Sequence, residues 1–288
     1  MILITHIDLD GAGCEVVARF FYPELTAVYH LDYDTVDKEL RKITNDPREN
    51  LIFADIAMTT ETASWLDSAY AGRVELFDHH KTAMESLGNY PWAHFDLSVS
   101  GTKLLFNTLR ARMPEKQIPE ALSKFVFYVN DYDLWIHESS VSRQLNDMLS
   151  LLGMPIFTRM MMDRISQNQL LVDSTDRLYL DGVTFYKKKY FQDRVRTAIV
   201  DGNRLVTVAS RYISELSQYI RDIKPVPEEW KNIDYIDVIN LDNQTHSLRS
   251  YKDDFDVSIV AKEKGGGGHP KASGYPIVFP EKDWFLKF

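Results

Sequence analysis

Four short stretches carry carboxylates, two of them beside imidazoles, at spacings that suit a metal ion. THIDLDG carries His6, Asp8 and Asp10, FADIAMT carries Asp55, FDHHKT carries Asp78, His79 and His80, and VNDYDLW carries Asp131 and Asp133. Mixed nitrogen and oxygen donors favour Mn²⁺, or Zn²⁺ and related ions, over Ca²⁺. Two such ions about 3.5–4 Å apart need a shared carboxylate to balance their charge. Asp55, alone on its stretch, is the natural bridge. Cys14 is the only cysteine, which excludes both an internal disulfide and a cysteine-built zinc site. Taken singly, each aspartate reads more simply as a helix cap and each histidine as a satisfied surface or core residue. Four clusters together resist that reading, because crowded carboxylates raise one another's pKa unless cations compensate.

These residues need elements to bring them together. The first third alternates short β-like runs with helical periods: ILITHI, GAGCEVVARFFY, TAVYHL, the stretch from Thr35 to Ile43, LIFADI, ETASWLDSAY and RVELFD. Such βαβα alternation predicts a parallel sheet with covering helices, an α/β fold whose buried strands read as continuous apolar runs. Ligands in these sheets bind beyond the carboxyl ends of the strands, where the clusters fall. Side chains two apart share a face of an extended segment, so His6, Asp8 and Asp10 are expected to line one wall of a cleft.

Farther along, LLFNTL, ALSKFVFYV and SRQLNDMLSLL repeat apolar residues at three- and four-residue steps and predict a helical cap from Ser100 to about Met162. Met160, Met161 and Met162 read as core filler. The segment from Gln169 to Ala198 keeps helical spacing and reads as a connecting helix, with Lys187, Lys188 and Lys189 on a solvated face. A turn at Asp201 to Asn203 then opens a smaller α/β unit with strands at LVTVA, IDVIN and HSLRS. The expected organisation is a catalytic domain over 1–165, a connecting helix over 166–199 and a second domain over 200–288, with a cleft between the domains.

At 288 residues, with 44% hydrophobic and 26% charged residues, the composition is that of a folded, water-soluble chain. No apolar run approaches the roughly 20 residues that span a bilayer, and no export signal is legible, so a cytoplasmic protein without a membrane partner is expected. A formal charge of −9 argues against coating long nucleic acid but leaves short phosphorylated ligands open.

The motifs HIDLD, the lone Asp55, DHH and a later aspartate, followed far downstream by GGGGHPKASG, resemble in order the DHH phosphoesterases with a C-terminal DHHA1 domain. The resemblance covers nearly the whole chain. It implies a phosphodiesterase with two divalent ions, usually Mn²⁺, with Mg²⁺, Co²⁺ or Zn²⁺ as alternatives. Carried onto this sequence, it makes His6, Asp8 and Asp55 the ligands of one ion, and Asp10, Asp55, His79 and Asp131 those of the other. Asp131 is preferred over Asp133 because it ends the apolar run FVFYV. Asp78 is expected to orient its neighbours, and His80 to contact the scissile phosphate.

GGGGHPKASGY needs its own weighing. By composition it reads as a flexible hinge. Yet glycines that lead into a histidine and a lysine let backbone N–H groups approach an anion. The resemblance assigns substrate binding here to Gly266, Gly267, Gly268, His269 and Lys271, assisted by Arg249 and Ser250. It implies short oligonucleotides as substrates, with cyclic or linear dinucleotides and nucleoside phosphates as the alternative. A non-catalytic nucleotide sensor is the rival from another class. Oligomeric state is left open, with a homodimer compatible.

Overall fold

A computed structural model describes residues 1–44, 46 and 48–277. The chain forms two compact units, Met1–Leu180 and Asp181–Phe288.

The first unit is built on five parallel strands: β1 (Ile2–Thr5), β2 (Ala27–His30), β3 (Leu51–Ala54), β4 (Val74–Asp78) and β5 (Ala93–Phe95), in the order β2-β1-β3-β4-β5. β1 shows why continuous apolar runs form its centre: Leu3 belongs to the cluster on one face, Ile2 and Ile4 to the cluster on the other. Helices α1 (Leu9–Phe21), α5 (Gly101–Arg112), α6 (Glu120–Asp133), α7 (Ser140–Leu152) and α8 (Met154–Ser166) contribute to the larger core. Helices α2 (Val36–Ile43) and α3 (Thr60–Ala69) and the end of α4 (Lys81–Leu87) line the other face. Met161 is buried in the larger core with Met160 and Met162 packed against it, as filler.

Strand order fixes where a ligand sits. From β1 the chain passes to β2 on one side and then to β3 on the other, so a crevice opens between the carboxyl ends of β1 and β3. His6 follows β1 and Asp55 follows β3.

Helix α9 (Ser174–Arg196) lies in the stretch read as a connection, and the boundary between the units falls inside it. Lys187 departs from the expected solvated run: it is buried and pairs with Glu215 at 2.8 Å. The second unit carries a six-stranded sheet in the order β10-β11-β9-β8-β7-β6. Its strands are β6 (Ile199–Asp201), β7 (Arg204–Val208), β8 (Tyr235–Asn240), β9 (Thr245–Ser250), β10 (Gly267–His269) and β11 (Ala272–Pro276), with α10 (Ile213–Asp222) and α11 (Val257–Glu263). Only β7 and β8 run parallel. No described helix is long and apolar enough to cross a membrane.

Candidate metal centre

β1 ends at Thr5, and the chain turns at once into α1. His6 stays on the turn, Asp8 is the N-cap that accepts the Gly11 N–H at 2.9 Å, and Asp10 lies in the first helical turn. The three therefore do not line a wall by strand alternation, as the sequence suggested, because the helix begins at Leu9 and Asp10 already lies within it. His6 Nδ1 meets Asp8 Oδ2 at 2.9 Å and Asp55 Oδ2 at 4.0 Å. Burial alone would lower the His6 pKa, but Asp8 and then Asp32 outweigh it and the net shift is upward.

Asp10 turns away toward α5. Its carboxylate accepts the Gly101 N–H at 2.7 Å and the Thr102 N–H at 3.0 Å, while Thr102 Oγ1 donates to its carbonyl at 2.7 Å. The positive end of α5 thus holds this carboxylate in a buried site. Only glycine fits at 101: a Cβ there would stand 2.8 Å from Asp55 Cβ and 3.0 Å from Asp10 Oδ2.

Asp55 leaves β3 with φ +59°, a left-handed conformation that costs a non-glycine residue about 1–3 kcal/mol. The bend aims its carboxylate between two groups: Oδ1 is 3.3 Å from His79 Nε2, and Oδ2 lies on the His6 side. Burial, followed by the charges of Asp10 and Asp8, drives its pKa well above the carboxylate range.

FDHHKT divides its labour. Buried Asp78 accepts the N–H groups of His79 at 2.7 Å and His80 at 3.1 Å, and its Oδ1 also meets His80 Nδ1 at 2.7 Å. His79 then points to Asp55 at 3.3 Å, Asp133 at 3.5 Å and Asp10 at 3.8 Å. Burial lowers the His79 pKa and keeps the ring a neutral donor. For His80 burial works in the same direction, but the bond to Asp78 reverses it and favours the imidazolium.

The fourth cluster departs from the sequence expectation. Asp131 is not directed at His79. It ties down the turn that leads into α7, accepting the Glu138 N–H at 2.8 Å, the Ser139 N–H at 3.2 Å and the Ser142 hydroxyl. Burial opposes its ionisation, yet these hydrogen bonds hold its pKa below the usual value. Asp133, two residues on and turned around α6, takes the place beside His79, and burial with the charges of Asp10 and Asp8 raises it to about 9.

Three overlapping sets of donors lie among the described residues, His6, Asp8 and Asp55 in one, Asp10, His79 and Asp133 in another, and Asp55, Asp78, His79 and His80 in a third, each with its ligand atoms within 4.8 Å of one another. Asp55 Oδ2, His79 Nε2 and Asp133 Oδ2 are buried and without hydrogen-bond partners. Orphaned acceptors around a positive-φ carboxylate fit divalent cations, which would supply what the protein leaves out.

Two neighbours were not singled out in the sequence. Asp32 Oδ1 lies 3.7 Å from His6 Nε2, and the Tyr33 hydroxyl lies 3.4 Å from His80 Nδ1 and donates to the Asp55 carbonyl at 3.4 Å. Tyr33 also faces the His6 ring at 4.8 Å between centroids. The signal was present: DYD follows β2 as HID follows β1.

In the second unit the glycine-rich stretch is not a hinge. It forms a hairpin in which Gly267 pairs with Gly274 and His269 with Ala272, and Gly268 adopts φ +133°, open only to glycine. An open pocket of about 530 Å³ is lined by Ser247, Arg249, Gly267, Gly268 and Ser273, among others. The Arg249 guanidinium donates to Ser214 Oγ at 2.9 Å, Ser247 Oγ at 3.2 Å and the Leu248 carbonyl at 2.9 Å, with no carboxylate among its described partners. Burial lowers its pKa. Ser250, Gly266, His269 and Lys271 do not line this pocket. Ser250 lies one strand position from Arg249, so alternation turns it to the buried face, where its hydroxyl donates to the Lys252 carbonyl. Lys271 bonds the Asp253 carbonyl at the hairpin turn.

No family model matches the chain. Over 96% of its length it is 28% identical to oligoribonuclease NrnB of Bacillus subtilis, spanning 72% of that protein. The chain is similar to the DHH phosphoesterases, and this relative supports that reading. Solved structures share the fold: exonuclease RecJ bound to manganese has a TM-score of 0.59 at 13% identity, covering 96% of this chain and 86% of that one. PggH, a pGpG-specific phosphodiesterase from Vibrio cholerae, has a TM-score of 0.51 at 15% identity, covering 99% and 96%. The chain carries an acidic or imidazole donor at each of the four clusters described above.

Proposed function

We propose that this chain is a metal-dependent phosphodiesterase that hydrolyses short oligonucleotides. One observation carries the reading: partnerless buried atoms of Asp55, His79 and Asp133 converge beside the His80 ring. In this proposal His6, Asp8 and Asp55 hold one divalent ion, and Asp10, Asp55, His79 and Asp133 hold a second, with Mn²⁺ the preferred metal. Bound there, such ions would lower the pKa of a water molecule and withdraw charge from the phosphoryl oxygens.

The protein's own residues do the rest. Asp78 fixes His80 through Nδ1, which leaves an imidazolium donating through Nε2 to a non-bridging phosphate oxygen as charge builds there. Tyr33 limits the swing of the same ring. In the second unit, Arg249 and the N–H groups around Gly267 and Gly268 offer a phosphate a charged fork and close backbone approach. The relatives' oligonucleotide and dinucleotide activities support this substrate class.

Product analysis over 5′-labelled RNA dimers to pentamers, cyclic dinucleotides and nucleoside phosphates in Mn²⁺ tests the proposal. Stepwise release of mononucleotides from short RNA is expected. Turnover confined to cyclic dinucleotides or nucleoside phosphates would move the assignment to those substrates. Nucleotide binding without any turnover at saturating metal would make the chain a sensor.

A further inference from the structure

Helix α9 has two apolar faces, and only one is used. Leu180 packs into the core of the first unit and Phe191 into that of the second. On the other side Leu178, Tyr179, Phe185 and Tyr186 stand 71%, 69%, 67% and 71% exposed. At 100° per residue these four fall within an arc of about 120°. A helix face of three aromatics and a leucine is not a solvated surface.

The arrangement of the four is symmetric. Leu178 and Tyr186 lie four residues either side of Gly182, and Tyr179 and Phe185 lie three either side. Gly182 sits at the middle of the arc, where an added Cβ would meet nothing within 4 Å. Glycine weakens a helix interior, and nothing in its own chain asks for one here. A second helix crossing at that point would.

We infer that this face is a homodimer interface in which α9 of two copies cross antiparallel over Gly182. A twofold axis through the crossing sets Leu178 of each copy against Tyr186 of the other, and Tyr179 against Phe185. Self-complementarity of this kind is what an isologous contact requires, and it singles out a second copy from other partners. Aromatic side chains bury about 150–250 Å² each, so the four residues would bury roughly 1,000 Å² over both copies, near the lower bound for a specific dimer.

Sedimentation equilibrium on the full chain at micromolar concentration tests this, together with disulfide trapping. The wild type should have the mass of two chains. A Leu178→Glu, Phe185→Glu double substitution should weaken association by about 100-fold or more, with an unchanged far-UV circular dichroism spectrum. Helix axes about 8 Å apart bring facing Cα atoms within the roughly 7 Å reach of a disulfide. Oxidised Gly182→Cys should therefore form a covalent dimer, whereas Thr184→Cys, exposed on another side of the helix, should not. A wild-type mass of one chain throughout, or equal cross-linking at both positions, would overturn the inference. If the double variant fails to fold, the two cysteine variants decide.

Discussion

The difference between Asp131 and Asp133 is one of rotation about α6. Both are close to the end of the helix, two positions apart, and neither spacing nor residue type distinguishes them. The distinction comes from the next helix: Ser142, on α7, captures Asp131 and leaves Asp133 to face His79. His6, Asp8, Asp55 and His79 were legible because each follows a strand of a parallel sheet, a local rule that needs no knowledge of packing. Asp133→Asn should lower kcat/KM by roughly 100-fold or more and reduce metal affinity. Asp131→Asn should instead cost about 1–3 kcal/mol of stability through weakened hydrogen bonds to the turn before α7 and to Ser142, with metal content retained. Metal analysis beside denaturant unfolding separates the two, and the reverse pattern would restore Asp131 as the ligand. His80→Gln should keep both metals and lose about 100-fold or more in kcat, which single-turnover kinetics would resolve.

At the scale of elements, the centre depends on how β3 and α5 meet. Asp55 bends left-handed at the end of β3, and the N-terminus of α5 closes on it with room for glycine alone at position 101. The strand and the helix were both readable from apolar periodicity, as was their order. The close approach was not, since it joins segments more than 40 residues apart and leaves no period in either. For the same reason the hairpin of β10 and β11 could not be told from a hinge by composition: its second strand, β11, is held in register by β9, farther back in the chain. Gly101→Ala should displace the Asp55 and Asp10 carboxylates, lower metal affinity at least about tenfold and destabilise the metal-free protein by about 1–3 kcal/mol. Calorimetric Mn²⁺ titration would detect this, and unaltered affinity would mean that the contact is dispensable.

For the whole molecule, the charge gathered at one sheet edge must be paid in stability unless cations balance it. Asp133 has a folded pKa of about 9 against about 4 unfolded, so its proton favours the folded state, and that contribution is complete below about pH 4 and lost as pH rises toward 9. Asp55 shifts in the same direction. Divalent ions bind the deprotonated carboxylates, so the thermal midpoint with saturating Mg²⁺ minus that with chelator should widen between about pH 6 and about pH 8.5. A gap that narrows over this range would contradict the assignment of these groups as ligands. The most direct measurement is Mn²⁺ stoichiometry taken together with turnover of a 5′-labelled RNA dimer, for the wild type and for Asp55→Ala. Two ions per chain and metal-dependent cleavage are predicted for the wild type, with both lost in a folded Asp55→Ala protein. Undiminished cleavage by that variant would contradict the account.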